Sequence, residues 1–98
     1  DVTEVGMQVI TTSTTGRPTV QIARGRQASP TSNFTYTDIL SAKLTIDSGE
    51  YDARNSDTAP TIDTTNDTLN TGDVLRFDVD SAGTGTKGLN VTIQCRLP

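Results

Sequence analysis

The chain has 98 residues, of which 32% are apolar, with no His, no Trp, one Cys and a formal net charge of −4. One domain of that size buries roughly two-thirds of its unfolded surface, which allows one modest core and excludes a second domain or a deep cofactor cleft. An acidic chain lacks the positive footprint that phosphate-backbone binding needs, no stretch is apolar enough to span a membrane and no signal or transit peptide is visible, so neither nucleic acid nor membrane is an expected partner.

The first predicted strand covers residues 3–12, where Val5, Met7 and Val9 share a face opposite Glu4 and Gln8. A period of two marks a half-buried strand. A Ser/Thr-rich turn ending in Gly16-Arg17-Pro18 leads to the second strand, residues 19–24, with Val20 and Ile22 pointing inward. A polar loop with Pro30 spans residues 25–33. The third strand, residues 36–47, is long: Leu40, Ala42, Leu44 and Ile46 alternate with Ser41, Lys43, Thr45 and Asp47. Asp47-Ser48-Gly49-Glu50 is a turn signal, and residues 51–60 read as loop. A short strand follows at residues 61–64 around Ile62, and then a polar loop, residues 65–70, leads to Thr71-Gly72-Asp73.

The last quarter carries the clearest pattern. In residues 73–80, Leu75, Phe77 and Val79 point one way and Arg76, Asp78 and Asp80 the other. In residues 88–97, Leu89, Val91, Ile93, Cys95 and Leu97 share a face opposite Asn90, Thr92, Gln94 and Arg96. SAGTGTKG between them is rich in turn formers. The two runs read as a long hairpin with one face in the core, in which Gly83, Gly85 or Gly88 supplies positive φ. Cys95, within the inward pattern, reads as a small buried apolar residue, and a lone Cys makes no intramolecular disulfide.

No stretch keeps a helical period over three turns. Six strand candidates separated by turn signals indicate an all-β fold, an antiparallel β-sandwich of jelly-roll type with about 6–8 short strands in one domain. Thr-rich strands around a small core suggest a thin domain that draws stability from neighbours in an assembly. The strand pattern begins directly after Asp1, so a further N-terminal segment, such as one more strand, is expected to precede it.

The missing His removes the commonest general base and excludes a Ser/His/Asp triad, and with one Cys a zinc site has no ligand set. Asp78 and Asp80 lie about 7 Å apart along a strand face, a spacing that would suit an inverting glycosidase pair, with a solvated strand face as the plainer reading. Asp57, Asp63, Asp67 and Asp73 offer oxygen ligands for Ca²⁺ without the spacing of a calcium loop. AGTGTKG, residues 82–88, lacks phosphate-loop spacing and joins strand to strand. N-x-[ST] tripeptides at Asn33, Asn66 and Asn90 are of the kind that arise by chance in a Thr-rich chain. Arg17, Arg24 and Arg26 form a local basic cluster, either a solvated strand end or a contact to an acidic partner surface. No metal or cofactor is expected.

LSAKLTIDSGE (residues 40–50), TAPTIDTTNDTLNTGDVLRFDVD (residues 58–80), AGTGTKGLNVTIQCRL (residues 82–97) and the opening EVGMQVITTSTTGRPTVQIAR (residues 4–24) resemble small uncharacterised virion proteins of tailed bacteriophages, of head-decoration or structural type. Residues 27–37 stand outside the resemblance. Members of that group carry a further strand before this point.

The resemblance implies a virion structural protein and not an enzyme, most consistent with a capsid decoration or cement protein on the particle exterior, assembled in the host cytoplasm. Its partners would be copies of itself, in a homo-oligomer such as a trimer, and the major capsid protein or another virion protein. The alternative is a tail, fibre or baseplate adhesion module that binds a host glycan through an aromatic or carboxylate-lined concavity. The expected contact residues are Phe34, Tyr36 and Tyr51, with peripheral core packing as their plainer role, together with Arg24, Arg26 and Lys87. The segments expected to make contact are the long loops, residues 27–35 and 51–70, and an exposed hairpin tip, residues 83–87. Deleting residues 52–57 is expected to leave the fold intact and to weaken assembly.

Overall fold

The structure, a computed structural model, describes residues 1–57 and 59–96. Within them the chain is all-β: eight strands, antiparallel throughout, with a single 3-10 turn, Ala53–Asn55, and no α-helix. The strands are β1 (Val2–Gln8), β2 (Thr19–Arg26), β3 (Thr35–Asp38), β4 (Leu40–Ala42), β5 (Leu44–Thr45), β6 (Thr61–Ile62), β7 (Val74–Ser81) and β8 (Asn90–Cys95). The sheets do not close, and the molecule is elongated, 45 × 26 × 19 Å.

The length comes from a two-stranded ribbon. β1 pairs with β8, the pairing resumes at Thr11–Lys87 and Thr15–Thr84, and at the other end Asp1 and Arg96 exchange backbone hydrogen bonds of 2.8 Å each. Val2 faces Cys95 while Glu4 faces Gln94, so Thr3 is a bulge. The bulge returns Val2 to the inward face with Val5, Met7 and Val9, which are all buried.

The last two strands do not form the expected hairpin. β7 pairs with β2 and β8 with β1, and residues 82–88 carry the chain from one sheet to the other, with Gly83, Gly85 and Gly88 all at positive φ. Alternation tells which face of a strand is apolar; it does not name the neighbouring strand. Cys95 corrects a second expectation: it is exposed, at the end of the edge strand β8. Val91 and Ile93 of the same face do pack on the core. Leu97 lies outside the described residues.

β2 is the central strand of the second sheet, with β7 along one side and β3 and β5 along the other. The expected continuous strand at residues 36–47 is broken. Six residue steps from Asp38 to Leu44 face only three from Val20 to Ala23, so the chain leaves β2 between these pairings. On this excursion β4 pairs with β6. Ile39 and Leu40 are both buried, which a strict alternation would forbid. The gap is filled by the Gln21 amide: its Nε2 donates to the Leu40 carbonyl at 3.1 Å, and its Oε1 accepts from the Ile22 N–H at 3.0 Å.

The core joins Val2, Val5, Met7 and Val9 of the ribbon to Val20, Ile22, Ile39, Leu40, Leu44 and Ile46, with Ala53 among them. Within the expected loop at residues 51–60, residues 51–55 are therefore not free. Asp52 pairs in sheet fashion with Gln8 and caps the 3-10 turn through Arg54 N–H at 2.9 Å, and Ala53 is fully buried. The Arg54 N–H, followed by its guanidinium, holds the Asp52 carboxyl below the usual range.

Candidate assembly surface

β7 lies at the edge of its sheet and, among the described residues, pairs with β2 alone. Its register against β2 is regular over residues 74–79 and shifts only at the Ser81 end. Leu75, Phe77 and Val79 stand beside Arg24, Ile22 and Val20 on the core side of the sheet. Ile22 and Val20 are fully buried, yet Phe77 is 46% and Val79 53% exposed. Only Leu75 packs against the core. The expected inward face of β7 thus points the expected way, but no element lies over its middle.

The opposite face of β7 carries its charges. Val74, Arg76 and Asp78 stand beside Gly25, Ala23 and Gln21. The Arg76 guanidinium reaches diagonally across β2 and lies 4.2 Å from the centre of the Tyr36 ring, a cation–π contact. Tyr36 in turn meets Phe34, with ring centres 6.3 Å apart. The trough beneath must be shallow: a Cβ on Gly25 would sit 2.7 Å from both Tyr36 Cε1 and Val74 Cγ2. Arg76 also pairs with Asp78 at 2.9 Å, and Lys43 with Asp80 at 2.7 Å. The Asp80 hydrogen bond, with its charge, raises the Lys43 pKa. Asp78 and Asp80 are therefore engaged in ion pairs on an open strand face.

Arg24 and Arg26 are taken up by the chain itself. Arg24 Nη1 donates to the Asn66 and Thr68 carbonyls at 3.1 and 2.9 Å. Arg26 forks onto Asp73 at 3.0 and 2.7 Å and also reaches the Thr68 carbonyl at 3.2 Å. Asp73 accepts a further 2.7 Å bond from Asn70 N–H. These bonds, those from Arg26 foremost, hold the Asp73 carboxyl down at about 2, against the opposing effect of its burial. The two arginines staple residues 66–73 to the end of β2. Arg17, at the other end of β2, pairs with Asp47 at 3.2 Å and Asp57 at 3.6 Å. The three arginines do not form one cluster.

Of the expected contact residues, the structure brings Phe34 and Tyr36 together and places Tyr51 and Lys87 on the ribbon. Tyr51 is 59% exposed, and its carbonyl accepts from Val9 N–H at 3.0 Å. Lys87 is exposed, but its backbone pairs with Ile10 and Thr11, so residues 83–87 are not a projecting hairpin tip. Arg76, Phe77 and Val79 join the surface although sequence reasoning did not place them there. The signal for Arg76 was its place on the polar face of β7; nothing in the alternation reveals that Phe77 and Val79 stay uncovered.

Two shallow depressions have volumes of about 410 Å³ each. One is lined by Glu4, Gly6, Gln8, Arg54, Thr92 and Gln94 among others, the other by Arg26, residues 27–30 and residues 70–73. Neither has an aromatic wall of the kind a sugar ring stacks on. Asp57 and Asp73 are spent on Arg17 and Arg26, and Asp63 accepts from Thr65 N–H and Asn66 Nδ2. No group of three or more His, Cys, Asp or Glu residues able to hold a metal ion occurs among the described residues. No known protein family, curated protein or solved structure matches the chain.

Proposed function

We propose that this chain is a structural protein of a bacteriophage virion, a decoration or cement protein that strengthens the particle exterior through contacts with its own copies and with a capsid protein. The observation that carries the reading is the exposed core-side face of β7. Phe77 and Val79 stand beside fully buried Ile22 and Val20 on an edge strand that, among the described residues, is paired along one side only. Long apolar edges invite strand addition, and soluble monomers ordinarily blunt them. An assembly would cover this flank at a gain of roughly 25 cal/mol per Å² of apolar surface. In this reading the β1–β8 ribbon and the sheet centred on β2 are the halves of a jelly-roll sandwich left open between β7 and β8. The resemblance of residues 4–24, 40–50, 58–80 and 82–97 to phage virion proteins supports a place on the virion.

The work of such a protein is mechanical and needs no reacting group. Added contacts between neighbouring subunits resist the outward pressure of a packed genome. Mixing the purified chain with particles that lack it, followed by electron cryo-microscopy, tests the reading. Regular density on capsid faces or symmetry axes is expected. Density confined to the tail, or no density, overturns it and directs attention to glycan binding.

A further inference from the structure

We infer that β7 pairs with β7 of a second copy across a two-fold axis through Phe77, joining two sheets into one. This rests on the assembly reading of the β7 edge given above, but not on the identity of any particle.

Strand self-pairing about an axis perpendicular to the sheet is antiparallel, and it sets residues of the same face opposite one another. The axis must therefore pass through a residue, and the alternation of β7 leaves three central choices. An axis at Arg76 sets Arg76 against its own copy and Val74 against Asp78. An axis at Asp78 sets that carboxylate against its own copy. Like charges directly opposite are destabilising. An axis at Phe77 sets Arg76 opposite Asp78 twice, Leu75 opposite Val79 twice and Phe77 opposite Phe77 once. Every central pair is then complementary in charge or in apolarity, and this register alone achieves it.

Three further observations favour this occupant. The backbone is regular along residues 74–79, which includes the 75–79 that the pairing uses, and the register shift that would blunt the edge lies beyond them. Phe77 and Val79 are exposed side by side on the face that the pairing would extend. Arg76 and Asp78 already lie 2.9 Å apart within one strand, so the paired strands carry four alternating charges in a square. A strand-to-strand contact of this extent lies at the small end of specific interfaces, and a weak, concentration-dependent dimer follows.

The test is sedimentation equilibrium of the purified chain up to about 100 µM, a range suited to weak association. Reductant is included because Cys95 is exposed. The wild-type chain is expected to form dimers. Asp78→Arg sets like charges opposite in the dimer and should weaken association at least about tenfold. The double exchange Arg76→Asp with Asp78→Arg restores the alternation and should restore the dimer. Circular dichroism melts of all three chains establish that each is folded. A wild-type chain that stays monomeric, or forms a trimer, overturns the pairing, as does an Asp78→Arg chain that dimerises normally or a double exchange that fails to recover. Particle decoration is scored separately: a chain that coats particles without dimerising through β7 loses this inference and keeps the virion reading.

Discussion

The side-chain amide of Gln21 stands in for a missing length of strand beside Leu40, donating to its carbonyl at 3.1 Å while accepting from Ile22 N–H at 3.0 Å. Both backbone groups are buried with their residues. A buried polar group left without a partner costs about 1–3 kcal/mol. Gln21→Leu should therefore lower stability by about 2–4 kcal/mol in urea unfolding. A loss under about 0.5 kcal/mol would mean that water replaces the amide.

The Arg26–Asp73 pair makes stability depend on acid. The carboxyl of Asp73 falls from its ordinary 3.8 to about 2 on folding. The unfolded chain binds the proton more readily, so the pair's stabilisation is complete above the ordinary carboxyl range and disappears as pH falls through about 2. Arg26 is open to solvent, which reduces the contribution to about 1 kcal/mol. Wild type should exceed Asp73→Asn by that amount at about pH 6 and match it at about pH 2. Unfolding curves that stay equally separated at both pH values would place the effect of Asp73 in its shape and not its charge.

Gly25 is where the Tyr36–Arg76 bridge can be broken from beneath. Gly25→Ala drives a methyl into Tyr36 and Val74 and should cost about 1–3 kcal/mol. The near-ultraviolet circular dichroism of the tyrosines should change with it. Tyr36→Ala in the same chain removes part of the clash, so the two changes together should cost less than their sum. Strict additivity would show that Tyr36 already swings clear in solution.

Deleting residues 52–57 removes Ala53 from the core, and with it the Asp52 cap and the pairing to Gln8. The deletion is expected to unfold the chain or lower its melting temperature by more than about 5 °C. Tyr51→Ala, at an exposed side chain, should change stability by less than about 0.5 kcal/mol. A deletion chain that melts like wild type would show the 3-10 turn to be dispensable.

Alternation within each strand was legible because the core needs one apolar face per strand. Val5, Met7, Val9, Val20, Ile22, Leu44 and Ile46 are buried as their spacing requires. Pairing was not legible, because a period of two is the same whichever strand lies alongside, and β7 and β8 parted company for that reason. The excursion at residues 39–43 was hidden because Ile39 and Leu40 belong to two sheets at once, and a single alternating pattern cannot describe both. Ala53 was hidden among polar neighbours, since a single methyl leaves no periodic trace. Aromatic residues flagged Phe34 and Tyr36 but could not distinguish them from Tyr51, whose exposed ring lies beside the ribbon. Arg24 and Arg26 read as free charges because the carbonyls and the carboxylate that hold them come from more than forty positions away.

The rung between Asp1 and Arg96 is separated by 95 positions along the chain, and β1 is paired along its ribbon side by β8, the most distant of the described strands in sequence. At a synthesis rate of about 5–20 residues per second, β1 waits for several seconds before β8 leaves the ribosome. Through that interval Val5, Met7 and Val9 have no ribbon partner, and closing so long a loop places the fold among slow, non-local folders. Birth of the chain is thus the time at which β1 is most open to a wrong neighbour, and prompt completion of the ribbon decides how much of it reaches the native state.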